Sequence, residues 1–505
     1  MASLRHLELD ECANLAYMPR GLSKLTSLCT LTMFIVGKGN DSAAHAGLHE
    51  LNSLNYIQGE LRITNLGCGK RAARAEDKIL KGKEFLQSLK LEWNQEANDG
   101  RDDEMLLDSL QPHSSLKNLF ITRYQGAKFP LWMMAQLPLS LTDLVKLTIR
   151  DCPNCQQLPP FNQLHRLKIL RLSNLSSVEH IDDNDSEEST IFFPSLQELH
   201  FNNLPNLKGW WARNISGAAA ATVSTLSTVK PSFPCLSKTT IEFCTNLASL
   251  PLQMHVEELS FHRASEKLVW QQLTAMAESL SAASSSSFPH SKLKSLYILG
   301  VKDMDYLPEE GLQQLASLEY LDISWCSRLL CLPDEGLRGL KSLQFLRIRR
   351  CSMLNSLSSG IQHLTALQTL RISDCKELVF SENSMHFQGL SNLTSLSLDY
   401  LPKLEELPVG LKHVMTLQSL NIETCFNLKA LPEWIGNLTS LEDFRISDCP
   451  SITCLPEAMH SLANLKELVI VECEYLLDRC QRDTGEDWLK IAHVPKVVLQ
   501  RRTSR

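Results

Sequence analysis

The chain has 505 residues, of which 43% are hydrophobic and 21% charged, a composition that suits a folded protein and argues against wholesale disorder. Its 50 basic and 57 acidic residues give a net charge of −7, so no general positive field favours nucleic acid or an anionic membrane. No apolar run approaches the roughly 20 residues of a transmembrane helix, and the N-terminal MASLRHLELDECANL carries charges where a signal peptide is apolar. We therefore expect an intracellular chain without membrane insertion.

Residues 1–292 carry an irregular, interrupted leucine repeat. Its copies open at or near Leu4, Leu116, Leu144, Leu167, Leu196, Leu236 and Val256. Three insertions, at 182–188, 217–228 and 284–287, are predicted to be excursions from the outer side of the coil. Two helices are predicted between repeat strands, at Lys70–Phe85 and Asp102–Leu110.

Residues 293–479 carry the same repeat in a regular form, LxxLxIxxCxxLxxLP. Its copies begin at Leu293, Leu318, Leu343, Leu367, Leu393, Leu417, Leu441 and Leu465. Their spacing of 24 to 26 residues lies inside the range of roughly 20–29 that is typical of leucine-rich repeats. The sequence predicts an α/β leucine-rich-repeat solenoid, curved, with parallel strands on the concave face and short helices or irregular returns outside. We expect one continuous array, closed by a C-terminal cap and basic tail at 480–505.

Each regular copy contains a predicted core pattern. Alternation with period two directs Leu321 and Ile323 inward from a short strand and the residue between them outward. Small cysteines occupy one equivalent turn position, where we predict that they pack in the core and bond to backbone: Cys326, Cys351, Cys375, Cys425, Cys449 and Cys473. Prolines such as Pro333 and Pro408 are predicted to end the extended stretch before the return.

Longer phrases carry a resemblance to a known family. They are YQGAKFPLWM at Tyr124–Met133, DCPNCQQLPP at Asp151–Pro160, FPSLQELHFNNLPNLKGW at Phe193–Trp210 and RCQRDTGEDWLKIAHVP at Arg479–Pro495. With the CxxLxxLP repeat, they resemble the leucine-rich region of plant intracellular nucleotide-binding resistance receptors (NLR proteins) of the non-TIR, coiled-coil class. The resemblance implies a recognition and regulatory module that senses pathogen effectors, directly or through a guarded host protein, in the cytoplasm, with the nucleus as a second compartment.

The resemblance also implies a parent architecture whose switch is not in these residues. No GxxxxGK[ST] phosphate loop occurs, so we expect this chain to bind no cofactor. ADP or ATP would belong to an upstream nucleotide-binding domain of the parent protein, which the family's leucine-rich region restrains. Because Met1 lies three residues before a repeat leucine, we expect the chain to be the C-terminal part of a larger protein or a truncated product.

The candidate binding residues are outward positions on the regular strands and immediately after them, since the inner face of a solenoid is its characteristic binding surface. They are Asp322, Trp325, Arg347, Arg349, Arg350, Arg371, Asp374, Asp399, Tyr400, Arg445 and Asp448. Tryptophan, tyrosine and arginine on an exposed sheet resemble interface anchors. The alternative is an ordinary solvated sheet with cross-strand pairs of arginine and aspartate.

Other features favour structural interpretations. Cys152 and Cys155 form a CxxC, but they occupy repeat positions and are predicted to pack in the core rather than hold a metal or act in redox chemistry. The charged segment Lys70–Phe85 is interpreted as a solvated helix rather than a docking patch. Phe129 and Trp132 are predicted to wedge into the solenoid.

No catalytic arrangement stands out among the repeats, so we expect a protein that is not an enzyme. Three alternatives remain open. The chain could be the ectodomain of an extracellular receptor, the substrate adaptor of a ubiquitin ligase, or an enzyme that uses Cys152 and Cys155.

Overall fold

A computed structural model describes the following residues of the chain: 3–9, 12, 14–37, 45–67, 78–94, 101–182, 193–211, 233–251, 253, 255–282, 291–380 and 387–501. The chain divides into two compact units, Met1–Val256 and Glu257–Arg505. The division at residues 292 and 479 and the single continuous array stay predictions.

The first unit is built on a parallel sheet. Its strands are β1 (His6–Leu7), β2 (Thr30–Leu31), β3 (Met33–Ile35), β4 (Gly59–Leu66), β5 (Leu86–Trp93), β6 (Asn118–Thr122), β7 (Lys146–Arg150), β8 (Ile169–Ser173), β9 (His180–Asp182), β10 (Glu198–Asn202), β11 (Gly209–Trp211) and β12 (Lys238–Glu242). The main sheet runs β3-β4-β5-β6-β7-β8-β10-β12, with each pair of neighbours parallel. The pairs β1-β2 and β9-β11 are separate parallel ribbons.

Short helices return the chain between these strands. They are α1 (Arg101–Ser109), α2 (Leu131–Met134) and α3 (Leu137–Ser140), with 3-10 turns at Leu22–Lys24, Leu48–Leu51 and Phe161–Gln163. Helix α1 confirms the helix predicted at Asp102–Leu110.

The second unit repeats one strand and one return at each step. Its strands are β13 (Glu258–His262), β14 (Ser295–Leu299), β15 (Tyr320–Ser324), β16 (Phe345–Arg349), β17 (Thr369–Ser373), β18 (Ser395–Asp399), β19 (Ser419–Glu423), β20 (Asp443–Ser447), β21 (Glu467–Val471) and β22 (Lys496–Gln500). Each pairs in parallel with the next, residue for residue, over five positions.

The returns of the second unit are helical or 3-10. They are α4 (Glu266–Ala282), α5 (Glu309–Gln313), α6 (Asp334–Gly339), α7 (Glu474–Arg479) and α8 (Trp488–Ile491), with 3-10 turns at Ser359–His363, Phe387–Gly389, Val409–His413, Glu433–Asn437 and Glu457–Ser461. Proline lies immediately before the first helical residue at Pro333 and Pro408, as predicted, with φ of −74° and −57°, inside the range that its ring allows.

The core confirms the predicted alternation. Leu321 and Ile323 are fully buried, as are the matching pairs of the neighbouring strands, and the repeat cysteines lie beside them with no exposed surface. The thiol of Cys326 donates to the Ser324 carbonyl at 3.6 Å, and that of Cys351 donates to the Ile323 carbonyl at 3.7 Å. The cysteine therefore fills the turn with little volume and bonds to strand backbone.

The predicted helix at Lys70–Phe85 is wrong where the structure describes it. Residues 70–77 lie outside the described part, and 78–85 form turns that lead into β5. Lys83 is fully buried rather than solvated, and its ammonium donates to the carbonyls of Leu51 (2.6 Å) and Leu54 (3.0 Å). Burial lowers the pKa of Lys83 to about 8. The three predicted insertions fall almost entirely outside the described residues.

The C-terminal segment packs as a cap over the last repeats. Strand β22 pairs in parallel with β21, and the Asp487 carboxylate between α7 and α8 is fully buried. It accepts two hydrogen bonds from the Arg479 guanidinium, at 3.0 and 3.1 Å, and one from the Leu455 N–H at 2.9 Å. Lys490 contacts the same carboxylate at 3.0 Å. These partners hold the pKa of Asp487 below its usual value, against the opposing effect of burial.

Candidate functional site

The residue after each regular strand adopts a left-handed backbone conformation. In the second unit, φ is 62° at Trp325, 54° at Arg350, 52° at Asp374 and 48° at Tyr400. The Trp325 N–H donates to the Arg349 carbonyl at 2.8 Å, and the Arg350 N–H donates to the Ser373 carbonyl at 2.9 Å. The left-handed turn thus extends the bonding between neighbouring strands by one residue. We call Trp325, Arg350, Asp374, Tyr400, Thr424 and Asp448 the strand-end row.

A cation–aromatic contact joins the first two members of this row. The Arg350 guanidinium lies over the Trp325 ring, 4.0 Å from its centroid, while its Nε is 3.1 Å from the Asp374 carboxylate. Trp325 keeps 49% of its surface exposed. The contacts hold both long side chains in defined positions without burying the indole, as a preformed binding surface requires.

The structure brings five of the eleven predicted binding residues around one shallow depression of about 340 Å³. These are Arg349, Arg350, Asp374, Asp399 and Tyr400, with Ser373 and Thr424 completing the lining. Burial raises the pKa of Asp399, and the negative charge of Glu423, directly opposite on β19, raises it further. The depression therefore combines two arginines, two carboxylates and a phenol.

Asp322 does not belong to the exposed surface, which corrects its predicted exposure. It is 6% exposed, accepts a hydrogen bond from the Ser324 hydroxyl and has an Arg347 guanidinium nitrogen at 3.6 Å. As the middle residue of β15, Asp322 faces outward, but the longer Arg347 side chain from β16 covers it. The pair is the cross-strand pairing of arginine with aspartate that the sequence offered as the alternative.

The remaining predicted residues lie on the same sheet face or its edge but outside the depression. Arg371 lies over the Phe345 ring at 5.6 Å, and Arg445 pairs with Glu423 at 3.1 Å. Asp448 belongs to the strand-end row and is half-buried.

Sequence reasoning missed an aromatic ladder on this face. Tyr297 and Tyr320 have ring centroids 5.1 Å apart, and Tyr320 stacks on Phe345 at 4.5 Å with planes 5° apart. Tyr320 and Phe345 are the first residues of their strands, two positions before the outward residues that the sequence singled out. Period-two alternation places the first residue of a strand on the same face as its middle residue, so the sequence carried a signal for both aromatics.

The first unit has its own depression at the matching strand ends, of about 780 Å³. It is lined by Arg123, Gln125, Asp151, Pro153, Asn174, Ser176 and Asn203. Asn203 donates to the Asn174 side chain at 2.9 Å, and Asn174 donates to the Asp151 carboxylate at 2.5 Å. Arg123, Asp151, Asn174 and Asn203 have φ between 54° and 62°, so the backbone conformation is the same, and the last three carry small, mutually bonded side chains.

The core packing predicted for the CxxC and for Phe129 and Trp132 is confirmed. Cys152 and Cys155 are both free and fully buried, and burial raises the pKa of Cys155 to about 12. Phe129 and Trp132 are 5% and 2% exposed, and the Trp132 indole donates to the Leu107 carbonyl at 3.3 Å. Within the described ranges, we find no group of three or more histidine, cysteine, aspartate or glutamate side chains placed to hold a metal ion.

Comparisons with known proteins agree with the resemblance seen in the sequence. Residues 48–175 match the family model of R13L1/DRL21 leucine-rich repeats. The chain is 31% identical over 313 residues to disease resistance protein RGA2 of Solanum bulbocastanum, covering 60% of this chain and 26% of that protein. It is 26% identical over 414 residues to a disease resistance RPP13-like protein 1 of Arabidopsis thaliana, covering 76% and 31%. The chain thus spans less than a third of the length of either relative.

A solved structure supports the fold alone. The chain resembles a chain of the glycosylated Toll–Spatzle complex from Drosophila with a TM-score of 0.58 and 16% identity, covering 96% of this chain and 62% of that chain. The leucine-rich-repeat fold is therefore confirmed by strand pairing, family model and structural neighbour together. No helix among the described residues combines the length and apolarity needed to cross a bilayer.

Proposed function

We propose that this chain, a leucine-rich-repeat region of the plant disease resistance type, recognises a pathogen effector or a guarded host protein through the outward face of its second unit. The observation that carries the proposal is the strand-end depression, where Arg349, Arg350 and Tyr400 meet two carboxylates beside the exposed Trp325 ring. Tryptophan, tyrosine and arginine are the residues that most often anchor protein interfaces.

The repeat architecture explains how such a face changes partners without losing its fold. Inward leucines and cysteines supply the packing, whereas outward residues such as Arg371 and Arg445 are exposed. Exchange of outward side chains alters the chemistry of the face at little cost in stability. This separation suits a module whose partner varies.

The proposal extends to regulation in a longer protein. The chain spans 26% to 31% of the two resistance proteins above, and we propose that a nucleotide-binding domain of the parent is its intramolecular partner and the site of ADP or ATP. Restraint of that domain is a binding equilibrium, so an effector must bind the released state more tightly to shift it. We place this non-enzymatic module in the cytoplasm, with the nucleus as a second compartment, and assign it neither nucleic-acid binding nor membrane insertion.

Replacement of three outward arginines by uncharged glutamine tests the face. The purified chain is screened against a panel of pathogen effectors and host proteins, and the Kd of each binder is remeasured with R347Q/R371Q/R445Q. Glutamine keeps a donor for the buried Asp322 carboxylate, so the fold is expected to survive. Loss of three positive charges from the outward face is expected to weaken binding about tenfold or more.

The matched control removes three cations elsewhere in the same unit. Lys403, Lys429 and Lys466 each pair with a glutamate of the preceding repeat, at 2.5 Å in every case. The variant K403Q/K429Q/K466Q changes net charge equally and is expected to leave affinity within about twofold. An effector or host protein that binds both variants like the unmodified chain would contradict the assigned face.

A further inference from the structure

A second groove of the second unit lies away from the strand-end row. It has a volume of about 620 Å³ and sits where α5, α6 and the 3-10 turn Ser359–His363 begin. Leu307, Leu332 and Leu357, one from each of three successive repeats, lie 2–3% exposed along it. The repeat thus supplies a continuous apolar floor.

Two aromatic side chains line this floor while remaining open to solvent. Trp270, from α4, is 39% exposed, and Tyr306 is 51% exposed. Both belong to the lining of the same groove as the three leucines. Exposed aromatic surface next to an apolar floor marks a recognition site better than either feature alone.

Two carboxylates are fixed in the lining by backbone donors. Glu309 accepts a hydrogen bond from the Glu335 N–H at 2.9 Å, and Asp334 accepts one from the Gly360 N–H at 3.1 Å. The Ser358 hydroxyl also donates to Asp334 and is the main reason that its pKa lies below the usual value. Across the described ranges, neither carboxylate forms an ion pair with a lysine or arginine. Both charges therefore remain available to a partner.

The surroundings add negative charge. Burial raises the pKa of Glu266, on the first turn of α4, and the charges of Asp305 and Asp303 raise it further. Arg328 offsets part of this charge, since its Nε lies 2.8 Å from Asp305. Glu266 therefore experiences more negative than positive charge.

We propose that this groove binds a basic segment of a protein partner, with a lysine or arginine side chain laid across Trp270 and Tyr306 and its charge facing Glu309 and Asp334. The aliphatic stem of such a side chain covers the leucine floor, and its cationic head is attracted by both rings and by the Glu309 and Asp334 carboxylates. No residue of its lining belongs to the strand-end depression.

Fluorescence anisotropy of a labelled peptide of alternating arginine and glycine tests the groove in the full chain. The variant E309Q/D334N keeps an acceptor for each backbone N–H but removes both charges, and we expect it to weaken peptide binding about tenfold. W270A is expected to weaken it similarly and W270F less, because phenylalanine keeps a ring. A control peptide of alternating glutamate and glycine is expected not to bind.

The control E377Q/E405Q makes the same change in net charge at two exposed carboxylates that pair with Lys403 and Lys429. It is expected to bind the arginine peptide like the unmodified chain. Bound peptide is also expected to slow maleimide labelling of Cys331, which lines the groove, but not of exposed Cys454. Equal weakening by the two double variants, retained affinity in E309Q/D334N, or unchanged Cys331 labelling at peptide saturation overturns the proposal.

Discussion

The strand-end positions of the two units share one backbone conformation but carry different chemistry. In the first unit, Asp151, Asn174 and Asn203 follow the strands and bond to one another, whereas the second unit places Trp325, Arg350 and Tyr400 at equivalent sites. Asparagine and aspartate tolerate positive φ well, while larger side chains do so at a cost of roughly 1–2 kcal/mol. Asp151, Asn174 and Asn203 therefore suit the turn, whereas Trp325, Arg350 and Tyr400 accept backbone strain to present large side chains, as Arg123 and Phe243 do in the first unit.

Buried charge separates the units in a second way. Lys83 of the first unit donates only to backbone carbonyls, whereas Asp487 of the second is enclosed by Arg479 and Lys490. Breaking a buried ion pair is strongly destabilising. A buried group without an ionic partner instead has its pKa shifted towards the uncharged form. Each difference between the units leads to a measurable contrast.

The largest effect is expected at the C-terminal cap. D487N leaves the Arg479 and Lys490 cations without their carboxylate and is expected to destabilise the last repeats by about 3 kcal/mol or more. Urea unfolding, with hydrogen exchange of residues 455–500, measures it. Because the folded pKa of Asp487 is lowered, its contribution is present above the unfolded pKa and lost as pH falls through the folded pKa. A difference from D487N that persists below that range would contradict the ion-pair explanation.

Lys83 is expected to give a pH dependence of the same sign as Asp487, but in the alkaline range. Its pKa falls from 10.5 to about 8 on folding, so the unfolded chain binds more protons between these values and stability rises with pH there. Relative to K83M, the unmodified chain is expected to gain up to about 3 kcal/mol between pH 8 and 10.5. Urea midpoints of both proteins across that range measure the gain. A stability difference between the two proteins that does not change with pH would mean that the Lys83 ammonium is hydrated in the folded state.

Within the strand-end positions, N174A is expected to destabilise the first unit by about 1–2 kcal/mol. Alanine loses the bonds to Asp151 and Asn203 and suits φ of 56° poorly. Thermal unfolding provides the comparison, with the solvent-exposed S176A as a control. An unchanged melting midpoint would show that the hydrogen bonds of Asn174 to Asp151 and Asn203 do not stabilise this unit.

The matching change in the second unit is expected to have little effect on stability. W325N loses the contact with Arg350 but relieves an indole from φ of 62°, so the two terms offset to within about 0.5 kcal/mol. Partner affinity is expected to fall, because the anchor is gone. Destabilisation as large as that of N174A would show that Trp325 serves the fold rather than recognition.

The smallest perturbation is chemical labelling of thiols. Cys375 and Cys425 are fully buried, whereas Cys454 is exposed. Burial also raises the pKa of Cys375 to about 12, so the reactive thiolate is scarce at neutral pH. We expect maleimide to modify Cys454 in the native protein and to reach Cys375 and Cys425 only in denaturant. Equal native rates would contradict their place in the core.

The inward half of the fold was predictable because its signal is local and periodic. Leu321, Ile323 and Cys326 recur at fixed spacing, and stacking copies must bury them together. The left-handed strand ends were not predictable in the same way. After β14–β20, Gly300, Asp374 and Asp448 are residue types that tolerate positive φ, whereas Trp325, Arg350, Tyr400 and Thr424 carry no such signal and each donates its N–H to the next repeat.

The candidate site was predictable only in outline for a related reason. Period-two alternation identified the face, but whether a side chain on it is exposed depends on the strand beside it. Arg347 covers Asp322, and Phe345 stacks on Tyr320. Likewise, nothing in the spacing of the charged segment shows that Lys83 turns inward to the carbonyls of Leu51 and Leu54. Such lateral contacts become visible only when the register between repeats is known.

Hydroxyl-radical footprinting of the chain with a bound effector or host protein tests the assigned face most directly, because it reports side-chain exposure residue by residue. Trp325 and Tyr400 are 49% and 37% exposed, while Tyr475, on α7, and Tyr56, in the first unit, are 66% and 62% exposed. We predict that binding slows oxidation of Trp325 and Tyr400 and leaves Tyr475 and Tyr56 unchanged. Unchanged oxidation of Trp325 and Tyr400 in a saturated complex would contradict recognition through the outward face of the second unit.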